Sequence, residues 1–409
     1  MLLGVYGSSP ETMRRREWGV ARGEWRNAKA QTRVSVQPKT LCFGILVVLA
    51  LTLFSFPMAL RAQNLDKPAH EITEEVTAFA YASDGRIAFS VRKMYKAKKY
   101  DLQRDDIYML DPGGKRRRLF TGEKFTLGDK PFTYQVESFT WSPNNKILAV
   151  QLFTTSVDIE SGRTEDARAL LFLDENGREL RPSGKEPLVM GCENPLWLRD
   201  NGTVVVMKEE ISPRELFSMQ YLYMSTGPAG KVFEGRTFRD AVRISGSNAA
   251  IAVERDRNMD GPPRLQRLEL LAQDDKELAT LESFAGGLSV SPSGTKVAYY
   301  LDKEVLEIRD LQAPNKVARV RIGLGVLQWN GDETRIYLKR TIEKKSADLV
   351  SVAVPPLVAY KAGQQVPVAE PTPDILLHGL TVREFAISPD GKNLAIVLPG
   401  KRYLQIFGF

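Results

Sequence analysis

The sequence predicts an all-β fold, a seven-bladed β-propeller in which each blade has four antiparallel strands. Three observations predict it. A stretch in which two apolar runs flank a tight turn occurs seven times, most clearly as EFAISPDGKNLAIV at residues 384–397. The copies follow one another at intervals of roughly 40 to 60 residues, the period of a propeller blade. Segments with helical periodicity are nearly absent, and residues 212–219 are the one candidate for a short helical turn.

Each copy is interpreted as a β-hairpin because of its turn residues. In the clearest copy, Pro389 fits the first corner of a tight turn, and Asp390 and Gly391 tolerate the backbone angles of the next positions. Apolar runs on both sides of such a turn are typical of paired strands. The predicted hairpin cores lie near residues 79–91, 139–150, 196–207, 242–253, 288–300, 327–338 and 385–398.

The residue just before each turn forms a column of large apolar side chains. Three of the five tryptophans of the chain fall in this column, which scattered placement would not produce. We predict that the column marks the end of the first strand of each blade. Its members are Tyr81, Trp141, Trp197, Ile244, Val290, Trp329 and Ile387. The fourth copy, with the turn Ser245-Gly246-Ser247-Asn248, departs most from the pattern.

Beyond its hairpin, each unit continues with a third and usually a fourth strand-like run. The seventh unit has a third run at residues 403–407 and no fourth. Residues 69–73, which precede the first copy, are expected to supply it. The two ends of the repeat array would then pair in one blade and leave no open sheet edge.

Residues 354–373 separate the third and fourth runs of the sixth unit. They contain five prolines, too many for a central strand. We interpret this segment as a spacer along the outside of blade six. The alternative is an extended segment of the kind that serves as a ligand.

The net charge of +7 is concentrated at one end of the chain. Residues 1–62 carry nine Lys and Arg against three Asp and Glu, a balance of +6, which leaves +1 for residues 63–409. The body of the protein therefore offers no charge argument for nucleic-acid binding, and we expect none.

Residues 1–62 are predicted to be a signal peptide with a long basic region. The apolar run at residues 41–56 follows eight Lys and Arg residues and precedes a small-residue exit at Ala62. The alternative is an uncleaved anchor in the inner membrane at residues 41–59, nearly long enough to span a bilayer. Either way the protein is exported, to the periplasm or the exterior. After cleavage only Cys192 would remain, so no intrachain disulfide is expected.

The turns Trp-Ser-Pro-Asn-Asn-Lys at residues 141–146 and Ile-Ser-Pro-Asp-Gly-Lys at residues 387–392 resemble those of TolB-like, WD-like β-propeller repeat proteins. The Trp-Asp dipeptide itself is absent. The resemblance covers about residues 65–409, and its motifs are specific for architecture. It implies an exported protein that binds other proteins.

No catalytic residue is assigned. The two histidines, His70 and His378, stand alone, and no Gly-x-Ser-x-Gly nucleophile elbow occurs. The sequence therefore favours a monomeric, non-enzymatic scaffold that binds a protein or another envelope component through the loops of one face. The alternatives are a hydrolase-type or lyase-type propeller enzyme with its substrate in the central funnel, and a membrane-tethered propeller.

Two short segments are candidate sites. The first is the connection between the second and third strands of blade one, whose four lysines and two tyrosines suit an acidic partner. Its candidate binding residues are Lys93, Tyr95, Lys96, Lys98, Lys99 and Tyr100. The second resembles the opening of a calcium loop, with oxygen ligands at alternate positions, but Arg267 stands where the closing acidic ligand belongs. Its candidate ligands are Asp256, Asn258 and Asp260, and with this closing ligand missing the sequence predicts no cofactor.

Overall fold

A computed structural model gives the structure of the chain. It describes residues 67–97, 100–124, 132–157, 163–184, 186–211, 216–225, 227–343, 346–361, 363–380, 384–398, 400 and 402–408. The predicted signal peptide and the alternative anchor lie outside the described residues. Within the described ranges, no helix combines the length and the apolar character needed to cross a membrane.

The described residues form 30 strands and two short 3-10 turns, Gly122–Lys124 and Pro182–Gly184. The strands are β1 His70–Ile72, β2 Val76–Tyr81, β3 Ile87–Ala97, β4 Tyr100–Leu110, β5 Arg116–Phe120, β6 Phe132–Trp141, β7 Ile147–Val157, β8 Thr164–Asp174, β9 Leu188–Met190, β10 Cys192–Trp197, β11 Thr203–Ile211, β12 Leu216–Tyr223, β13 Gly230–Val232, β14 Phe238–Arg243, β15 Ala249–Glu254, β16 Arg264–Glu269, β17 Asp274–Thr280, β18 Gly286–Val290, β19 Lys296–Tyr300, β20 Val305–Asp310, β21 Lys316–Arg321, β22 Leu327–Trp329, β23 Arg335–Glu343, β24 Ser346–Ala353, β25 Val358–Ala359, β26 Val368–Ala369, β27 Asp374–Leu380, β28 Glu384–Ile387, β29 Asn393–Val397 and β30 Leu404–Gly408.

These strands pair into seven successive antiparallel sets of four, and the predicted all-β propeller architecture is confirmed. The first five sets follow chain order as β2–β5, β6–β9, β10–β13, β14–β17 and β18–β21. The sixth set is β22, β23, β24 and β27, and the seventh is β28, β29, β30 and β1. One bridge, Phe217 to Phe238, joins the third set to the fourth.

The seventh set is completed by the amino-terminal strand. His70 and Ile72 of β1 lie opposite Ile406 and Leu404 of β30. The predicted pairing of the two ends of the array is therefore confirmed. It satisfies the backbone groups of β30 that would otherwise form an open sheet edge.

Buried apolar clusters fill the contacts between neighbouring sets. Between the second and third sets, for example, Phe172 and Trp197 pack edge to face with ring centres 5.9 Å apart. A further cluster, which includes Phe89 and Leu404, joins the seventh set to the first. Each such side chain contributes about 1.5–3 kcal/mol when fully buried. Because these clusters occur at all seven contacts of the described sets, the ring is closed.

The column of residues before the turns marks the end of the first strand. β2, β6, β10, β18, β22 and β28 all end on a column residue. In the usual register, Trp141 lies opposite Leu148. In the fourth set the equivalent pair is Arg243 with Ala250, so the column position belongs to Arg243 and not to Ile244. Ile244 takes the following position and is buried towards the fifth set. The sequence analysis assigned Ile244 to the column because it is apolar, and this assignment is one residue too far along the chain.

The turns after the first strands lie together at one end of the sets, which we call the turn face. The Asn145 amide donates to the hydroxyl of Ser83 at 2.7 Å, and the Asn201 side chain accepts the backbone N–H of Asn144 at 2.9 Å. In each of the seven turns one residue adopts a left-handed backbone, which favours Gly and Asn; in the fourth turn it is Gly246. In the other six turns these residues are Gly85, Asn145, Asn201, Gly294, Glu333 and Gly391.

Two sequence interpretations differ from the structure. The Pro-rich segment lies against the fifth set, because β25 and β26 pair with β21, and not along the outside of the sixth. There it covers the outer edge of a sheet, where missing N–H donors are tolerated. The helical turn proposed for residues 212–219 is wrong in its described part, because Leu216 begins strand β12. Alternating burial along that strand reflects the strand period, which a short apolar run does not reveal.

Candidate binding face

The connections between second and third strands leave from the end opposite the turn face, which we call the hairpin face. In the first and second sets these hairpins are built from strands of 11 residues each. Those of the third and sixth sets have strands of 8 or 9 residues. In the fourth, fifth and seventh sets the same strands have only 5 or 6. The long hairpins therefore project beyond the bodies of the blades.

The candidate residues of blade one lie on such a hairpin and not on an irregular loop. Lys96 lies opposite Asp101, and Tyr95 opposite Leu102, in the β3–β4 register. Lys96 is exposed. Met94, which lies between Lys93 and Tyr95, is also exposed, with 62% of its surface accessible. Lys98 and Lys99 lie outside the described residues, and of Tyr100 only the backbone, at the start of β4, is described.

Lys93 and Tyr95 make contacts within the protein. The ammonium of Lys93 lies 3.1 Å from a carboxylate oxygen of Glu74, which also accepts a hydrogen bond from Arg116. The Tyr95 hydroxyl donates to Asp106, and burial together with this bond raises the pKa of Tyr95 to about 12. These contacts hold the base of the hairpin against the blade.

The same base contains a buried carboxylate that the sequence analysis missed. Asp105 is fully buried. Its oxygens accept hydrogen bonds from Thr77 at 2.6 Å, from the Val136 backbone at 2.8 Å and from Arg92 at 3.1 Å. Burial raises the pKa of Asp105 by more than these hydrogen bonds and the charge of Arg92 lower it. The carboxylate therefore links three strands of the first set to the first strand of the second and fixes the direction in which the hairpin leaves.

Acidic side chains lie on the first strands of the second and third sets, towards the hairpin face. The Arg168 guanidinium on β8 lies 2.8 Å from Glu193 and 3.5 Å from Glu137. The pKa of Glu193 is raised, mainly by burial and also by the charges of Glu137 and Glu209, which Arg168 opposes. Irregularities in the ladders of β6 and β10 occur beside Glu137 and Glu193. Such bulges redirect side chains, which alternation of the sequence does not show.

Asp240 on β14 extends this acidic group to the fourth set. It is largely buried, and its carboxylate accepts the backbone N–H groups of Ala241, at 2.8 Å, and Leu288. Burial raises its pKa to about 6, and the nearby charge of Glu193 adds to the effect. We call Glu137, Glu193 and Asp240 the acidic group. At neutral pH it gives this part of the hairpin face a negative character, partly offset by Arg168.

The candidate calcium ligands lie in the connection between β15 and β16. The Asp256 carboxylate is 3.6 Å from the guanidinium of Arg264, and its carbonyl accepts the Met259 N–H, closing a turn. Asp260 instead lines a separate cavity of about 410 Å³ that Arg239 and Arg255 also line. Across the described ranges, no group of three or more His, Cys, Asp or Glu side chains is placed to hold a metal ion. Calcium binding at Asp256, Asn258 and Asp260 therefore stays an untested alternative to the predicted absence of a cofactor.

Comparison with known proteins adds only structural likeness. No protein-family model matches the sequence. No curated protein matches it either.

Two solved structures among those similar to the chain are propellers. A chain of the structure titled Crystal Structure of Mitotic Checkpoint Complex aligns with a TM-score of 0.48 and 14% identity, over 89% of this chain and 99% of that one. TolB from Acinetobacter baumannii aligns with a TM-score of 0.35 and 14% identity, over 61% of this chain and 57% of that one.

Proposed function

We propose that this chain is an exported, non-enzymatic β-propeller that binds a protein partner on its hairpin face. The observation that carries the proposal is the pair of longest hairpins, in the adjacent first and second sets, with the shorter hairpin of the third set next to them. Rigid elements that project from a scaffold are favourable places for binding residues, because their side chains are positioned before the partner arrives.

The exposed side chains of these hairpins are of the kinds found at interfaces. Met94 on the first hairpin and Phe153 on the second are large apolar residues, with 62% and 37% of their surfaces accessible. Charged residues surround them, including the exposed Lys96 and Asp166. Apolar anchors within a polar rim are typical of protein interfaces, where Met and aromatic residues are enriched.

Export is supported by the leader. The basic stretch and the apolar run at residues 41–56 have the composition of a secretion signal. The near-neutral balance of the remaining chain argues against an anionic polymer as the partner.

Co-purification from envelope extract tests the proposal. The full chain is compared with two variants in which the charge of three lysines is reversed. In the control variant, Lys115, Lys146 and Lys392 at the turn face are changed to Glu. The hairpin variant has Lys96, Lys98 and Lys99 changed to Glu. We expect one protein to be recovered with the wild type and the control but lost with the hairpin variant. Recovery of no protein, or equal loss with both variants, would contradict the proposed face.

A further inference from the structure

The turn face contains a cavity of about 600 Å³ between the turns of the first four sets. This volume lies within the range of small-molecule sites. One wall is aromatic and is formed by Tyr81, Phe139 and Trp141. Two arginines, Arg199 and Arg243, also line the cavity, and none of its lining residues is acidic.

Arg243 occupies the column position that an apolar residue holds in every other set. It is half-buried, and its Nε and Nη2 atoms donate to the carbonyl of Ser247 at 3.3 and 3.2 Å. Five N–H donors are available on a guanidinium, so others remain for a ligand. In the fourth set an arginine therefore replaces the apolar column residue, and this arginine lines the cavity.

Neither arginine pairs with a carboxylate in the described part of the chain. Several half-buried arginines elsewhere do: Arg236 lies 2.6 Å from Glu254, and Arg319 lies 2.8 Å from Glu307. Arg104 and Arg255, like Arg243, donate to backbone carbonyls instead. Burial, followed by the charge of Arg199, lowers the pKa of Arg243. The two guanidinium groups therefore repel each other, and an anion between them would relieve that repulsion.

Two carboxylates in the turns of the first and third sets are already occupied. Asp84 pairs with Arg86 at 2.8 Å. Asp200 accepts hydrogen bonds from the hydroxyl of Thr203, at 2.6 Å, and from backbone N–H groups of its own turn. The backbone of Arg199 is fixed, because its N–H donates to Asn248 at 2.8 Å. Within the described residues, the two guanidinium groups therefore have no carboxylate partner.

We propose that this cavity binds a small organic anion in which a carboxylate or phosphate group is attached to a ring. The anionic group would lie between Arg199 and Arg243, where planar guanidinium groups suit such oxygens. The ring would lie against the aromatic wall. This site is at the opposite end from the hairpin face, so its test does not depend on the protein partner.

Isothermal titration calorimetry of the purified full chain tests the site. The probes are benzoate and phenyl phosphate, which separate the two anionic groups, inorganic phosphate, which lacks the ring, and benzylamine, a cation of similar shape. We expect saturable binding of at least one aromatic anion, weaker binding of inorganic phosphate and none of benzylamine. Binding should weaken as salt is raised, because exposed charges are screened.

Two variants locate the binding. Arg199→Gln changes an exposed residue, so the fold should persist, and affinity should fall at least about tenfold with the loss of a charged hydrogen bond. Arg243→Trp restores the residue type of the column and should abolish binding. The control is Arg178→Gln, which removes an exposed arginine of the second set that does not line the cavity. Two results would overturn the proposal. One is that neither aromatic anion saturates the protein up to about 10 mM, which corresponds to a millimolar affinity limit. The other is that the Arg199→Gln and Arg178→Gln variants bind with equal affinity.

Discussion

Glu333 at the sixth turn is expected to stabilise the contact between the fifth and sixth sets through its charge. One carboxylate oxygen accepts the backbone N–H of Ser293 at 2.6 Å, and the other lies 2.7 Å from the ammonium of Lys296. Burial alone would raise the pKa of Glu333, but the hydrogen bonds from Lys296 and Ser293 outweigh it and lower the pKa to about 2. Only 9% of the side chain is accessible.

The magnitude follows from linkage between ionisation and folding. The difference between about 2 and the ordinary value of 4.5 corresponds to about 3 kcal/mol. Solvent screening at an exterior turn reduces this to about 1–2 kcal/mol. Glu333→Gln keeps the size and the backbone conformation but loses the charge, so it should lower the free energy of unfolding by that amount at pH 7. For a unit of this size the melting temperature should fall by about 2 °C.

Calorimetry at two pH values checks the cause. Because the folded pKa is lowered, the stabilisation is present above pH 4.5 and is lost as the pH falls towards 2. The melting temperatures of the wild type and Glu333→Gln should therefore converge near pH 2.5. Glu304→Gln is the matched control, since its pair with Arg321 is exposed and should contribute little. Equal melting at pH 7, or a difference that persists at pH 2.5, would refute the reasoning.

Three further predictions concern stability. Asp105→Ala should lower the free energy of unfolding by about 3–5 kcal/mol in denaturant titration, because Arg92 would remain buried without its partner; a loss below about 1 kcal/mol would show that the carboxylate is dispensable. Asp240→Asn should raise stability by about 2 kcal/mol at pH 8, since the pKa of about 6 disfavours the ionised form. That gain should shrink towards zero near pH 4, and a gain independent of pH would rule out this cause. Deletion of residues 67–73 removes β1 and should lower the melting temperature, whereas unchanged melting would show that the closure adds nothing.

The architecture could be predicted from the sequence because each set repeats one local rule. The rule is a tight turn between two apolar runs, which residues 388–391 and their neighbours show in full and six other copies repeat. The closing strand β1 could be predicted because the seventh unit visibly lacked a fourth run. The register of the fourth set could not, because both Arg243 and Ile244 precede a turn and only the pairing with Ala250 distinguishes them.

The electrostatic features of both faces depend on contacts between sets, which the sequence pattern does not contain. Asp105 is one of two adjacent aspartates in β4, and only the fold reveals that it accepts a hydrogen bond from Val136 of the next set. Asp240 and Glu193 are separated by 47 positions in the sequence, yet the charge of one raises the pKa of the other. A charged residue in a strand therefore looks the same in the sequence whether it faces solvent or a neighbouring blade.

The first strand of the fourth set contributes an acidic residue towards one face and a basic residue towards the other. Each first strand presents one end to the hairpin face and the other to the turn face, so a substitution near either end places its charge at that face. Asp240 and Arg243 lie on the same strand, three positions apart, and contribute to the acidic group and to the cationic cavity respectively. A basic element of the partner would be favoured near the acidic group, and a small anion at the turn face. The two ligands would then occupy opposite ends of the same blades without competing for the same side chains.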